Sequence, residues 1–158
     1  MKKILVMGLG NPILSDDAVG ILAAKRLRES LQHPEVDIIE AELGGMNLLD
    51  PLRDYQAAII MDSVITGRHP PGTILNYDLE NLPGSPRLIS PHDADFASTI
   101  SLGKKLGMNM PSDVRILAME VEDNITFAEK CTPKVQAAIP QMVKSVKNLI
   151  QQLLNTGH

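Results

Sequence analysis

Apolar and polar positions along the chain alternate between two rhythms. Residues 4–7 (ILVM) and 57–61 (AAIIM) are short runs, apolar throughout and stopped by a glycine or an acid. That is the pattern of strands buried on both faces of a parallel sheet. Residues 36–41 and 114–119 read as two further strands, the first punctuated by Asp37 and Glu40. Between them the period changes to three and four. Val19, Leu22, Ala23, Arg26, Leu27 and Leu31 predict a helix over residues 16–31, with Ser15 as its N-cap and Asp16 and Asp17 in its first turn. Leu48, Leu49 and Leu52 predict a short helix despite Pro51. Ser90, Pro91 and Asp93 open another, with His92 in its first turn, Phe96, Ile100, Gly103 and Leu106 as its buried face and Gly107 as its stop. Thr132 and Pro133 open the last helix, whose apolar stripe is Val135, Ile139, Met142, Val146, Leu149 and Leu153, with Pro140 expected to kink it. Residues 64–72 are a Gly- and Pro-rich loop, and residues 73–77 a strand reached too quickly for a crossover helix, hence antiparallel.

Strand and helix in alternation predict an α/β fold: a single three-layer domain over residues 1–158, with a largely parallel, twisted five-stranded sheet and helices on both faces. A chain of 158 residues is long enough for one ordinary core. The net charge of −4 has its signs interspersed, which leaves no electrostatic footprint for nucleic acid or for an anionic membrane. A single cysteine, Cys131, allows no intrachain disulfide and favours a cytoplasmic protein. Lys2 and Lys3 precede an apolar run that meets Gly8, Gly10, Asn11 and Pro12 too soon for a signal peptide, and no stretch reaches the length of a membrane span.

Ligands of such sheets gather at the carboxyl ends of the strands. Asp17 follows the first strand, Asp62 ends the third, and His92 opens a helix entering from the same edge. Two carboxylates and one imidazole on separate segments suit a borderline divalent ion such as zinc or nickel, with positions left open for water or a second protein. The two helix N-termini favour ionised Asp17 and neutral His92, the states a metal requires. Taken singly, each residue has an ordinary reading: dipole or cap chemistry for Asp16 and Asp17, a turn for Asp62, a solvated surface for His92. Only their convergence points to a site. Glu40 and Glu42 read as solvated charge, His33, His69 and His158 receive no role, and Cys131 beside a helix cap reads as inert. Gly8 and Gly10 begin a dinucleotide-binding G-x-G-x-x-G, but Ile13 stands at the third glycine and Pro12 removes a backbone donor, so that signal is weak.

The same residues resemble the hydrogenase maturation proteases. That family's opening, a strand, G-x-G-N, and then D-[DE]-x-x-G, is matched by Gly8, Gly10, Asn11, Asp16, Asp17 and Gly20. A buried strand ending in D-[AS] is matched by Met61, Asp62 and Ser63, the following P-G-T by Pro71, Gly72 and Thr73, and S-x-H before a helix by Ser90, Pro91 and His92. The resemblance implies an endopeptidase that removes a C-terminal extension from the large-subunit precursor of a nickel–iron hydrogenase. It implies that Asp17, Asp62 and His92 contact nickel already inserted in that precursor and share in catalysis, so the nickel comes with the substrate. A departure lies at residues 42–47, ELGGMN, where many members carry G-T-x-G and only Gly45 aligns; it leaves the particular hydrogenase open. Two other readings stand beside this one. A noncatalytic nickel or metal carrier would use the same three ligands. The opening is also similar to that of bacterial peptidyl-tRNA hydrolases, but the histidine those esterases place after it is missing and the chain is acidic.

Overall fold

The computed structural model describes residues 2–42, 45–81 and 96–156. Five strands, β1 (Lys2–Leu9), β2 (Val36–Ala41), β3 (Tyr55–Val64), β4 (Ile74–Tyr77) and β5 (Asp113–Glu120), form one sheet in the order β2-β1-β3-β5-β4. β2, β1, β3 and β5 run parallel, and β4 pairs antiparallel with β5 from Ile74 opposite Met119 to Tyr77 opposite Ile116. The expected antiparallel fourth strand is therefore present, one residue shorter than the sequence suggested. The buried strands are longer than their apolar runs, because Tyr55, Gln56, Asp62 and Ser63 join the β3 ladder despite their polarity.

Alternate residues of the central strands feed two cores. Ile4, Val6, Ala57, Ile59, Met61, Leu117 and Met119 face helices α1 (Val19–Ser30) and α4 (Pro133–Thr156). Leu5, Met7, Leu9, Ala58, Ile60, Val114 and Ile116 face α2 (Leu49–Leu52) and α3 (Phe96–Lys105). The period-2 alternation of a strand thus builds a helix–sheet–helix sandwich from runs that look uniformly apolar in sequence.

Several helix details differ from the sequence expectation. The first helix begins as a single turn of 3-10 helix, Ser15–Ala18, and α1 proper starts at Val19. Ser15 is not an N-cap: its φ is +45°, and its hydroxyl donates to the Lys130 carbonyl at 3.2 Å, because that segment of chain lies against it. Arg26 is exposed, whereas Ala24 and Ile21 are buried, since α1 packs against both the sheet and α4 and so buries a wider arc than one stripe. In α3, Phe96, Ile100 and Gly103 are buried as expected, but Leu106 lies beyond the last turn and is 65% exposed. Gly107, at φ +78°, ends the helix: its N–H donates to Lys104 O and that of Met108 to Gly103 O, the paired bonds of a Schellman cap. Ser90, Pro91, His92 and Asp93 lie outside the described residues. Pro140 sits inside an uninterrupted α4 on its exposed side, where the Gln136 carbonyl it leaves without an amide partner can be solvated.

The glycines of the opening turn act through closeness rather than through a left-handed backbone, for neither Gly8 nor Gly20 has positive φ. A Cβ at Gly8 would overlap the Gly20 carbonyl oxygen and stand 2.8 Å from the Ala24 Cβ; a Cβ at Gly20 would overlap the carbonyls of Leu9 and Met61. The start of α1 is seated backbone against backbone on the ends of β1 and β3. Gly8→Ala is expected to lower the unfolding free energy by about 3 kcal/mol, since rigid main chain must move. Leu106→Ser should stay within about 0.5 kcal/mol of wild type. Urea denaturation of the two variants checks both values.

Candidate active site at the β1 and β3 carboxyl ends

β1 hands the chain to β2 on one side, and β2 returns it to β3 on the other, so the crevice between the carboxyl ends of β1 and β3 is a topological switch point. The parallel register that pairs Gly8 with Met61 brings the segment after β1 beside the last residues of β3. Asp17 and Asp62 both stand at this edge, each hydrogen-bonded to Ser63. Asp62 is fully buried, Asp17 is 5% exposed, and Ser63 between them is 5% exposed. The Ser63 hydroxyl donates to Asp17 Oδ1 at 2.9 Å, and the Ser63 N–H donates to Asp62 Oδ1 at 2.8 Å. One serine thus binds both carboxylates. Asp62 does not terminate its strand, as the sequence suggested, but precedes its last two residues, Ser63 and Val64.

Local structure accounts for the placement of Asp17. Its carbonyl accepts the Asn11 N–H at 3.3 Å, and a Cβ on Gly10 would overlap that carbonyl, so glycine is needed for the turn to fold back on itself. The next helix is α1, so Asp17 stands two residues before its first turn, at the positive end of the dipole. His92, the third residue singled out in the sequence, lies outside the described residues. Among the described residues, no group of three or more His, Cys, Asp or Glu side chains is arranged to hold a metal ion.

Asp16 and Asp17 are neighbours with different partners. The Asp16 carboxylate, fully buried, accepts hydrogen bonds from the amides of Glu122 (3.2 Å), Asp123 (3.1 Å) and Thr132 (2.6 Å), and from the Thr132 hydroxyl at 2.8 Å. Sequence reasoning placed it with the helix dipole; its actual partners are more than a hundred residues away, and nothing local announces them. Glu120, 2% exposed at the end of β5, accepts from the Thr66 amide at 2.8 Å and from the Thr66 hydroxyl, which ties down the loop after β3.

The model of the hydrogenase maturation protease family matches residues 21–149. The chain belongs to that family. It is 27% identical over 146 residues to the hydrogenase 2 maturation protease of Escherichia coli, covering 91% of this chain and 88% of that protein. To the hydrogenase expression/formation protein HupD of Thiocapsa roseopersicina it is 23% identical, over 95% of this chain and 68% of that one. Among solved structures, the hydrogenase maturating endopeptidase HybD of E. coli superposes with a TM-score of 0.79 at 25% identity, covering 95% and 93% of the two chains. The [NiFe] hydrogenase maturation protease HycI of Thermococcus kodakarensis shares the fold, with a TM-score of 0.71 at 18% identity over 98% and 94%. The protein is a peptidase, and the likeness of its opening turn to peptidyl-tRNA hydrolases does not extend to its family. Among the described residues, no helix is long and apolar enough to cross a membrane.

A protease invites the question of a thiol nucleophile, and Cys131 does not serve. Its thiol donates to the Ser15 carbonyl at 3.8 Å, and burial, followed by the charge of Asp16, pushes its pKa up to about 11. The thiolate is the reactive form, so at neutral pH the group is held in its unreactive state. A raised pKa means the fold favours the neutral thiol. The stability this contributes is whole below the ordinary thiol pKa and is lost as pH rises through 11. At pH 8 the native thiol should react with iodoacetamide at least about tenfold more slowly than in the urea-unfolded chain, with the rate still rising past pH 10. Timed alkylation followed by mass spectrometry measures this.

Proposed function

We propose that this protease removes a C-terminal extension from the large-subunit precursor of a nickel–iron hydrogenase, and that it acts on precursor already loaded with nickel. The observation that carries the reading is the pair of buried carboxylates, Asp17 and Asp62, brought from separate segments onto the two sides of Ser63 at the switch point. Carboxylate oxygens brought to one crevice from separate segments are a donor set that suits a divalent ion arriving with the substrate. Asp17, Asp62 and His92 are the residues we assign to contact that nickel, which is a feature of the substrate and not a resident cofactor. Hydrolysis then breaks the peptide C–N bond: the water oxygen joins the carbonyl carbon, and both water protons end on the leaving nitrogen, giving a carboxylate and an ammonium group at neutral pH. A carboxylate at the site can take a proton from that water as it attacks. The partner is therefore the precursor protein, and the single, half-buried thiol suits a reducing cytoplasm.

Incubation with nickel-loaded precursor should shorten it by the mass of the C-terminal peptide, while precursor lacking nickel stays intact. Asp17→Asn, Asp62→Asn and His92→Gln should each slow processing by about 100-fold or more with the fold retained, as judged by circular dichroism and intact-mass spectrometry. Binding of the loaded precursor without any shortening would instead identify a nickel carrier. Full processing by all three variants would remove these residues from the mechanism.

A further inference from the structure

Residues 121–132 leave β5 and lead into α4, and they run along the segment that carries Asp16 and Asp17. Leu14 and Ala128 form a parallel bridge, the Ala128 N–H donates to Ile13 O at 3.0 Å, and the Ser15 N–H donates to Ala128 O at 2.9 Å. Ser15 holds its left-handed φ of +45° within this contact, a conformation that a non-glycine residue keeps only where its surroundings enforce it. The roots of the loop are joined elsewhere. Glu122 and Asp123 at one root and Thr132 at the other donate to the same Asp16 carboxylate. Between those roots the loop displays Ile125 at 79% and Phe127 at 81% exposure, and the paired segment adds Ile13 at 47%. Among the described residues, three of the five exposed large apolar side chains, Ile13, Ile125 and Phe127, thus lie on these two hydrogen-bonded segments, next in the chain to a candidate active-site residue.

We propose that Asp16 is a positioning residue for the proteolysis. Its carboxylate fixes residues 122–132 as a wall beside Asp17, and Ile125 and Phe127 on that wall receive apolar side chains of the precursor protein. The inference rests on the reading of the protein as a precursor-processing protease. The geometry requires a carboxylate at this position. Both oxygens accept, so an amide in its place turns an NH2 toward backbone N–H donors whichever way it is rotated, and one root of the loop is released.

The test is steady-state processing of nickel-loaded precursor by the full chain. Ile125→Ser and Phe127→Ser remove only exposed side chains, so thermal unfolding should be unchanged, while KM rises roughly tenfold and kcat stays near wild type. Asp16→Asn should raise KM by a similar factor, and Phe127→Ser added to it should contribute less than about twofold, because a released loop no longer presents that ring. If Asp16→Asn does not fold, Thr132→Val, which removes the hydroxyl that donates to Asp16 and keeps the Thr132 N–H, takes its place in the same cycle with a smaller rise in KM expected. Wild-type KM in both loop variants would overturn the proposal, as would fully multiplicative effects of Asp16→Asn and Phe127→Ser. Failure of the wild-type protein to shorten the precursor would overturn the function reading instead.

Discussion

The close approach of Gly20 to the carbonyls of Leu9 and Met61 is the constraint on which the rest of this structure depends. Two parallel strands present their carboxyl ends at a switch point, and a helix must start almost on top of them for its preceding turn to reach the crevice. A side chain at Gly8 or Gly20 would hold α1 away from the sheet. Asp17 would then lose its place beside Ser63, and the two buried carboxylates would no longer share a site. The large apolar cluster beneath α1 and α4 holds the helix down, and the glycines let it come near enough for that packing to position chemistry.

Around this point, buried carboxylates do different work according to what donates to them. Asp16 accepts main-chain amides and a hydroxyl from the loop before α4, Glu120 accepts those of the loop after β3, and both thereby shape the rim. Asp17 and Asp62 are joined through one serine in the crevice itself. A carboxylate surrounded by N–H donors is a fastener. Asp17 takes the hydroxyl of Ser63 and Asp62 its main-chain N–H, so the same residue type does different work within one short stretch according to the donors that reach it.

Much of the architecture was legible along the chain because its causes are local. Apolar runs bounded by glycine or acid mark the buried strands, Gly107 marks the end of α3 by its left-handed backbone, and the quick return after residue 72 marks an antiparallel edge strand. Where local reading failed, a distant partner had intervened. Ser15 resembles a cap by type and position but bonds to Lys130, and Arg26 fell on a nominal stripe that the packing of α1 against α4 displaced. Asp62 and Ser63 belong to a strand because β5 offers them ladder partners, Ala118 and Met119, which no propensity of their own would predict.

By itself the sequence determined the fold class, the parallel sheet with its one reversed strand, and the candidacy of Asp17 and Asp62, since period, punctuation and motif order are properties of neighbouring residues. Only the tertiary structure decided that Ser63 binds both carboxylates, that Gly8 and Gly20 serve the close approach of α1 to the strand ends, and that Asp16 belongs to a loop more than a hundred residues away. These facts depend on which segments the sheet order brings together. Sequence spacing carries no record of that proximity, because a buried carboxylate looks the same along the chain whether its donors come from the next turn or from the far end of the domain.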